Sequence, residues 1–320
     1  MYQVKKVARS EFVPIRNLDY HVLVWGQPGP GKVPMVMVHG WMDVAASYQF
    51  VVDAFAHDHY VIAPDWRGYG LTGIAGTAPQ STTSAASPGG RSWLGTDSYW
   101  FSDYLADLDL LIDHYSPDAP VHLVGHSMGG NVAMLYAGVR PQRIRALVNL
   151  EGFGMPASRP AQAPKRFARW MDEIKAFHRG EMALKTYDSE TAVAARLMKT
   201  NKRLTQDKAD WLAGHWAKPD AQGRWRILGD PAHKVISPQL SRVDEVLEIY
   251  KSIAAPTLVV EASEDNLTQW WQGKYTLAEF HERLKLVPDL REAVLLDTGH
   301  MLHHDQPEQL ARLVESFLEA

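Results

Sequence analysis

The segment Gly125-His126-Ser127-Met128-Gly129-Gly130 sets a serine between two glycines in the pattern G-x-S-x-G. The apolar run VHLV precedes it and NVAMLYAGV follows, so the serine stands at a strand-to-helix turn. Small neighbours let such a turn tighten until the serine oxygen stands clear of the backbone. The amide dipoles of the following helix then face any negative charge that develops there. The pentapeptide alone fits an ordinary glycine-bearing turn; the strand before it and the helix after it favour a nucleophile. A serine hydroxyl needs a base. Gly299-His300, after the last strand-like run and before the closing helix, brings a histidine to the same sheet edge. The chain has 14 histidines, so position rather than type singles out His300. His303 and His304 follow closely, but without a paired motif such as HExxH they read as residues approaching the helix rather than as metal ligands.

The base in turn needs an orienting carboxylate. EASEDN at 261–266 ends the run TLVV, and Asp265 is the acid expected there. Glu264 is its neighbour, and Glu151, at the end of ALVNLE, competes from the same edge. The oxygen of an attacked carbonyl needs donors, and the backbone amides of Trp41, in His39-Gly40-Trp41, and of Met128 are suited to form an oxyanion hole. A plain turn at Gly40 would look the same. His39, Trp270 and Trp271 are the expected pocket residues. This set calls for no metal and no cofactor. GYGLTG at 68–73 matches G-x-G-x-x-G but runs into a loop instead of opening a helix, so a backbone turn braced by Asp65 and Arg67 is expected in place of a dinucleotide site.

The elements that must position these groups are legible. FVPIRN and YHVLVWG form a hairpin with its turn at Asn17-Leu18-Asp19. Short apolar runs at 34–40, 60–65, 121–126 and 146–152 alternate with helical stretches, the pattern of a parallel sheet covered on both faces. The spacing of apolar residues predicts a helix over 98–115, capped by Asp97 or Ser98. After Gly152 no convincing strand occurs until AAPTLVVEASED at 254–265; REAVLLDTGH then supplies another, and Pro307 opens the closing helix. Residues 1–152 and 255–320 thus form an α/β core, and 153–254 a helical insertion. Within that insertion Trp170, Trp211, Trp216, Trp225, Phe167, Phe177, Met171 and Met182 mostly build its own core. Residues 74–95, rich in Ala, Ser, Thr, Gly and Pro, form a flexible loop with few buried contacts.

Composition excludes several function classes. Of 320 residues 46% are hydrophobic and 22% charged, an ordinary globular balance. The net charge of −4 gives no footprint for nucleic acid or an anionic membrane. The absence of cysteine excludes disulfides, thiol nucleophiles and cysteine-held metals. No apolar run approaches the ~20 residues of a membrane helix, and the first residues lack the apolar centre of a secretory signal, so the default is a cytoplasmic protein.

HGW, DWRGYG, GHSMGG, EASEDN and DTGH, in this order, resemble the α/β-hydrolase superfamily over about 1–152 and 255–320. The resemblance implies an eight-stranded, mostly parallel sheet flanked by helices, with a helical cap over the active site. The order Ser…Asp…His is that of the fold. Ser127 stands where dehalogenases and epoxide hydrolases of the superfamily carry aspartate, which argues against those chemistries. The expected activity is hydrolysis of a small-molecule carboxylic ester through Ser127, His300 and Asp265 and an acyl-enzyme. Carbon–carbon bond hydrolysis, lactone opening and acyl transfer could use the same groups, and a non-catalytic binder is the reading from another class.

Overall fold

The computed structural model describes residues 2–75 and 94–320. Most of the loop expected at 74–95 therefore lies outside the described residues. Eight strands form one continuous path: β1 (Arg9–Ile15), β2 (Leu18–Trp25), β3 (Met35–Val38), β4 (Val61–Pro64), β5 (Val121–His126), β6 (Ile144–Leu150), β7 (Thr257–Ala262) and β8 (Leu290–Leu295). Their spatial order is β1-β2-β4-β3-β5-β6-β7-β8. β1–β2 and β2–β4 pair antiparallel, and every later pair is parallel. A two-residue strand, Gly73–Ile74, adds to β2. The hairpin turns earlier than the sequence suggests. Ile15 already faces Leu18, so Arg16 and Asn17 make the turn, Arg16 at φ 57°. Leu18 joins the core instead, at 2% exposure.

The four-residue strands β3 and β4 are buried at every position, which is why they read as unbroken apolar runs. Helices cover both faces. On one, α1 (Gln49–Ala54) shares an apolar cluster with the C-terminal helix. On the other, α2 (Phe101–Tyr115) and α3 (Met128–Val139) pack Leu108, Leu111, Val132 and Met134 against the sheet. Neither Asp97 nor Ser98 caps α2. Trp100 occupies the cap position with no side-chain bond, while Ser98 is engaged with Thr96.

Between β6 and β7 the chain forms α4 (Ala163–His178), α5 (Glu190–Thr200), α6 (Gln206–Trp216) and α7 (Val243–Lys251). It also forms a small antiparallel sheet of Thr186–Tyr187, Trp225–Ile227 and Ala217–Pro219, where no strand was expected. Strands of two or three residues are too short to show a period of two. α5 and α6 close over Val193, Ala194, Leu212 and Ala213, together with Phe50 of α1. α7 packs on α3, so closely that a Cβ on Gly138 would stand 2.1 Å from the Ile249 carbonyl oxygen. The chain ends with α8 (Asn266–Trp270), α9 (Leu277–Leu284), α10 (Leu302–Asp305) and α11 (Pro307–Leu318). Among the described residues no helix is long and apolar enough to cross a membrane.

Candidate active site

The loops leaving the C-terminal ends of β3, β5, β6, β7 and β8 meet at one edge of the sheet. Ser127, between β5 and α3, adopts φ 52° and ψ −114°, a conformation rare for a residue with a side chain. Its own N–H is held by the Leu150 carbonyl at 2.8 Å. The flanking glycines are required by contact: a Cβ on Gly125 would lie 2.4 Å from the Gly129 carbonyl oxygen, and one on Gly129 2.2 Å from that of Val38. The strain turns the hydroxyl away from the backbone and towards His300.

Ser127 Oγ lies 2.9 Å from His300 Nε2. On the other side of the ring, His300 Nδ1 lies 3.2 Å from Glu151 Oε2. A carboxylate only accepts, so the proton sits on Nδ1 and Nε2 is left to accept from the serine. Glu151 directly follows β6 with φ 57°. Its side chain is 1% exposed. Its second oxygen accepts the Ala262 N–H at 2.6 Å. Burial pushes its carboxyl above the ordinary value, against the opposing hydrogen bonds from His300 and Ala262.

Asp265, the acid expected from the sequence, does not meet His300. It caps α8, accepting from Thr268 N at 2.9 Å and Thr268 Oγ1 at 2.6 Å, and is solvent-exposed. The helix N-terminus behind it competes for its carboxylate and wins. Glu264 is drawn off by Arg203 at 2.5 Å. Of the three carboxylates weighed, only Glu151 reaches the ring.

The residues expected in the pocket divide. His39 is fully buried, its Nδ1 donating to the Gly40 carbonyl and its Nε2 accepting from Trp66 N, so it offers nothing to a ligand. Trp271 packs against the core beneath the sheet. Trp270 remains at the site: it is 51% exposed and meets the His300 ring edge-on, with centroids 4.5 Å apart. Trp41 is 54% exposed beside Gly40, whose added Cβ would stand 3.2 Å from Ser127 Cβ. Met128 opens α3 immediately after the serine.

His126, which sequence reasoning passed over, supports the site from behind: its Nε2 donates to the His300 carbonyl at 2.7 Å. The only signal was its place inside the serine motif. Three ties join the inserted stretch to the loops around His300, namely Asn201 to Asp305 at 2.7 Å, Arg203 to Glu264, and Lys208 to the His304 carbonyl at 2.9 Å. The GYGLTG segment opens no helix. A Cβ on Gly70 (φ 56°) would collide with the Asp65 carboxylate, which also accepts from Ala45 N and Leu71 N. Arg67 meanwhile grips the buried Asp107 through two nitrogens.

A strand order with two antiparallel steps and then an unbroken parallel run, with a strained serine after the fifth strand, defines one class of protein. The sequence profile described as alpha/beta hydrolase fold matches residues 33–307, and the chain belongs to that family. It is 25% identical over 321 residues to a serine hydrolase-like protein of Danio rerio, covering 98% of this chain and 89% of that one. It is 32% identical over 300 residues to the cis-3-alkyl-4-alkyloxetan-2-one decarboxylase of Shewanella oneidensis, covering 91% and 83%. Among solved structures it is similar to the thioesterase domain from the curacin biosynthetic pathway, with a TM-score of 0.75, 22% identity, and coverage of 97% and 99%.

Proposed function

We propose that the chain is a serine hydrolase that cleaves a carboxylic ester or a closely related acyl bond, with Glu151 rather than Asp265 as its acid. The observation that carries this reading is the continuous relay from Ser127 Oγ through the His300 ring to the buried Glu151. Ser127 Oγ attacks the carbonyl carbon while His300 Nε2 takes its proton. Glu151 holds the tautomer and stabilises the imidazolium without itself accepting the proton. The amides of Met128 and Trp41 stabilise the oxyanion. His300 returns the proton to the leaving alcohol, and an acyl-serine remains. Water, deprotonated by His300, attacks the acyl carbon; the acid leaves and Ser127 regains its proton. None of these steps requires a metal. Residues 153–242 act as a cap, a reading supported by their three ties to the loops beside His300.

A second reading has one specific support. The relative from Shewanella oneidensis is named for an oxetan-2-one, a four-membered cyclic ester, so a strained lactone is a rival substrate class. The test is a fluorophosphonate probe followed by a panel of aryl esters, alkyl esters and β-lactones. Labelling abolished by Ser127→Ala, together with ester turnover, supports the proposal. Turnover confined to the lactones favours the second reading. No labelling and no turnover would leave a binding protein.

A further inference from the structure

Behind the His300 loop three side chains turn polar atoms towards one another inside the core. Asp43 is 5% exposed, His126 2% and His303 0%. Asp43 Oδ2, His126 Nδ1 and both ring nitrogens of His303 are buried there without a hydrogen-bond partner. Polar atoms are rarely left in this state, because a buried polar group without a partner has lost its water and gained nothing in return. Here they converge: one donor atom from each residue lies within 4.8 Å of the other two.

The chemistry of the atoms is set by their neighbours. The carbonyl of His300 can only accept, so His126 Nε2 carries the ring proton and Nδ1 presents a lone pair to the cluster. A ligating histidine anchored through its other nitrogen to a backbone carbonyl is a recurrent feature of metal centres. Asp43 is held in a similar way. Its Oδ1 accepts the Ser47 hydroxyl, which leaves Oδ2 facing His303 Nε2 at 3.9 Å. Around a tetrahedral ion with bonds of about 2.0–2.2 Å, neighbouring donors stand roughly 3.4 Å apart. That edge needs to close by only about half an ångström. Two imidazoles and one carboxylate suit zinc-like ions and not magnesium or calcium, which prefer oxygen alone.

We propose that Asp43, His126 and His303 bind one divalent transition-metal ion of the zinc class. The site is separate from the Ser127–His300–Glu151 relay and stands whether or not the esterase reading holds. It lies one hydrogen bond behind the histidine of that relay, so an ion there pins the His300 loop to the end of β5.

The test uses the full chain stripped with chelator, titrated with Co²⁺ by visible absorption and with Zn²⁺ by calorimetry. The expected result is one equivalent bound, with the intense visible bands of a low-coordinate cobalt site. Asp43→Asn and His303→Gln should each weaken binding by at least about 100-fold, since even outer partners of a metal are worth 10–100-fold. Two surface groups, His57 with His59 and Glu315, and Glu261 with His281 and Glu292, also bring three donors together. His57→Ala and His281→Ala should leave the cobalt spectrum unchanged. Binding lost in those surface variants, binding indifferent to Asp43→Asn, or no binding at all overturns the proposal. Asp43→Asn is nearly isosteric and carries the test alone if His303→Gln fails to fold.

Discussion

The serine–histidine contact and the identity of the acid lead to two predictions at the scale of single residues. Ser127→Ala should cost on the order of 10⁴–10⁶ in kcat for ester turnover while the circular dichroism stays native. Retention of a tenth of the wild-type rate would remove Ser127 from the mechanism. Glu151→Gln should lower kcat by about 10⁴, and Asp265→Asn and Glu264→Gln by less than about threefold. The same substitution carries a stability signature. Burial raises the carboxyl pKa of Glu151 in the folded state, so its contribution to stability is present at acid pH and is lost as pH rises through that raised value. Glutamine does not ionise. Urea midpoints should therefore move in favour of Glu151→Gln as pH rises from acid to neutral, and an unchanging difference would contradict it.

These residues also show what a sequence makes legible. The meeting of Ser127 with His300 can be read because one lies in a local motif with strict steric demands and the other at the end of a recognisable strand. The acid cannot be read that way, because the turns after β6 and β7 both carry a carboxylate at the same edge. What separates them is local competition. Asp265 stands three residues before Thr268 at the start of a helix, an N-capping pattern visible in the sequence, and that cap consumes its side chain. His126 was hidden for a different reason: its partner is a backbone carbonyl far along the chain.

At the scale of elements, the joints between helices and sheet are specific. Gly138→Ala would drive a methyl into the Ile249 carbonyl and lift α7 from α3. A loss of about 1–3 kcal/mol by urea denaturation is expected. Besides its apolar face, α11 is tied by Glu315, which accepts the Ala56 and His57 amides and the His59 ring. Burial alone would raise its pKa, but those donors outweigh it and lower the value. Its stabilisation is thus present above the ordinary glutamate range and is lost as pH falls through the depressed value. Glu315→Gln should be destabilised by about 1–3 kcal/mol at neutral pH, with the gap to wild type narrowing in acid. A gap that widens in acid would refute this assignment.

At the scale of the whole molecule, the inserted stretch and the sheet share packing. Phe50 of α1 belongs to the same cluster as Val193 and Leu212, and Tyr2 rests on Phe50 and Trp211. A shared core predicts one cooperative transition. Tryptophan fluorescence, to which Trp170, Trp211, Trp216 and Trp225 of this stretch contribute, should therefore change together with far-ultraviolet circular dichroism; two separated midpoints would show independent units. The packing of α7 on α3 was not legible, because α7 is amphipathic like its predecessors and amphipathicity does not say which neighbour a helix will choose.

Glu151 closes β6 before the chain departs from the sheet. The proposed nucleophile and acid therefore follow adjacent strands upstream of everything between Gly152 and Arg242, and of the proposed relay only His300 lies beyond it. If that interval is the proposed cap, a genetic exchange with both crossovers inside it would transplant a foreign cover without separating any member of the proposed relay from its strand. The turn after β7 keeps a structural task instead, capping α8 through Asp265 and holding Arg203 through Glu264. On the proposed reading the chain joins a fixed catalytic edge to an exchangeable cover, a layout that invites libraries spliced between these two positions.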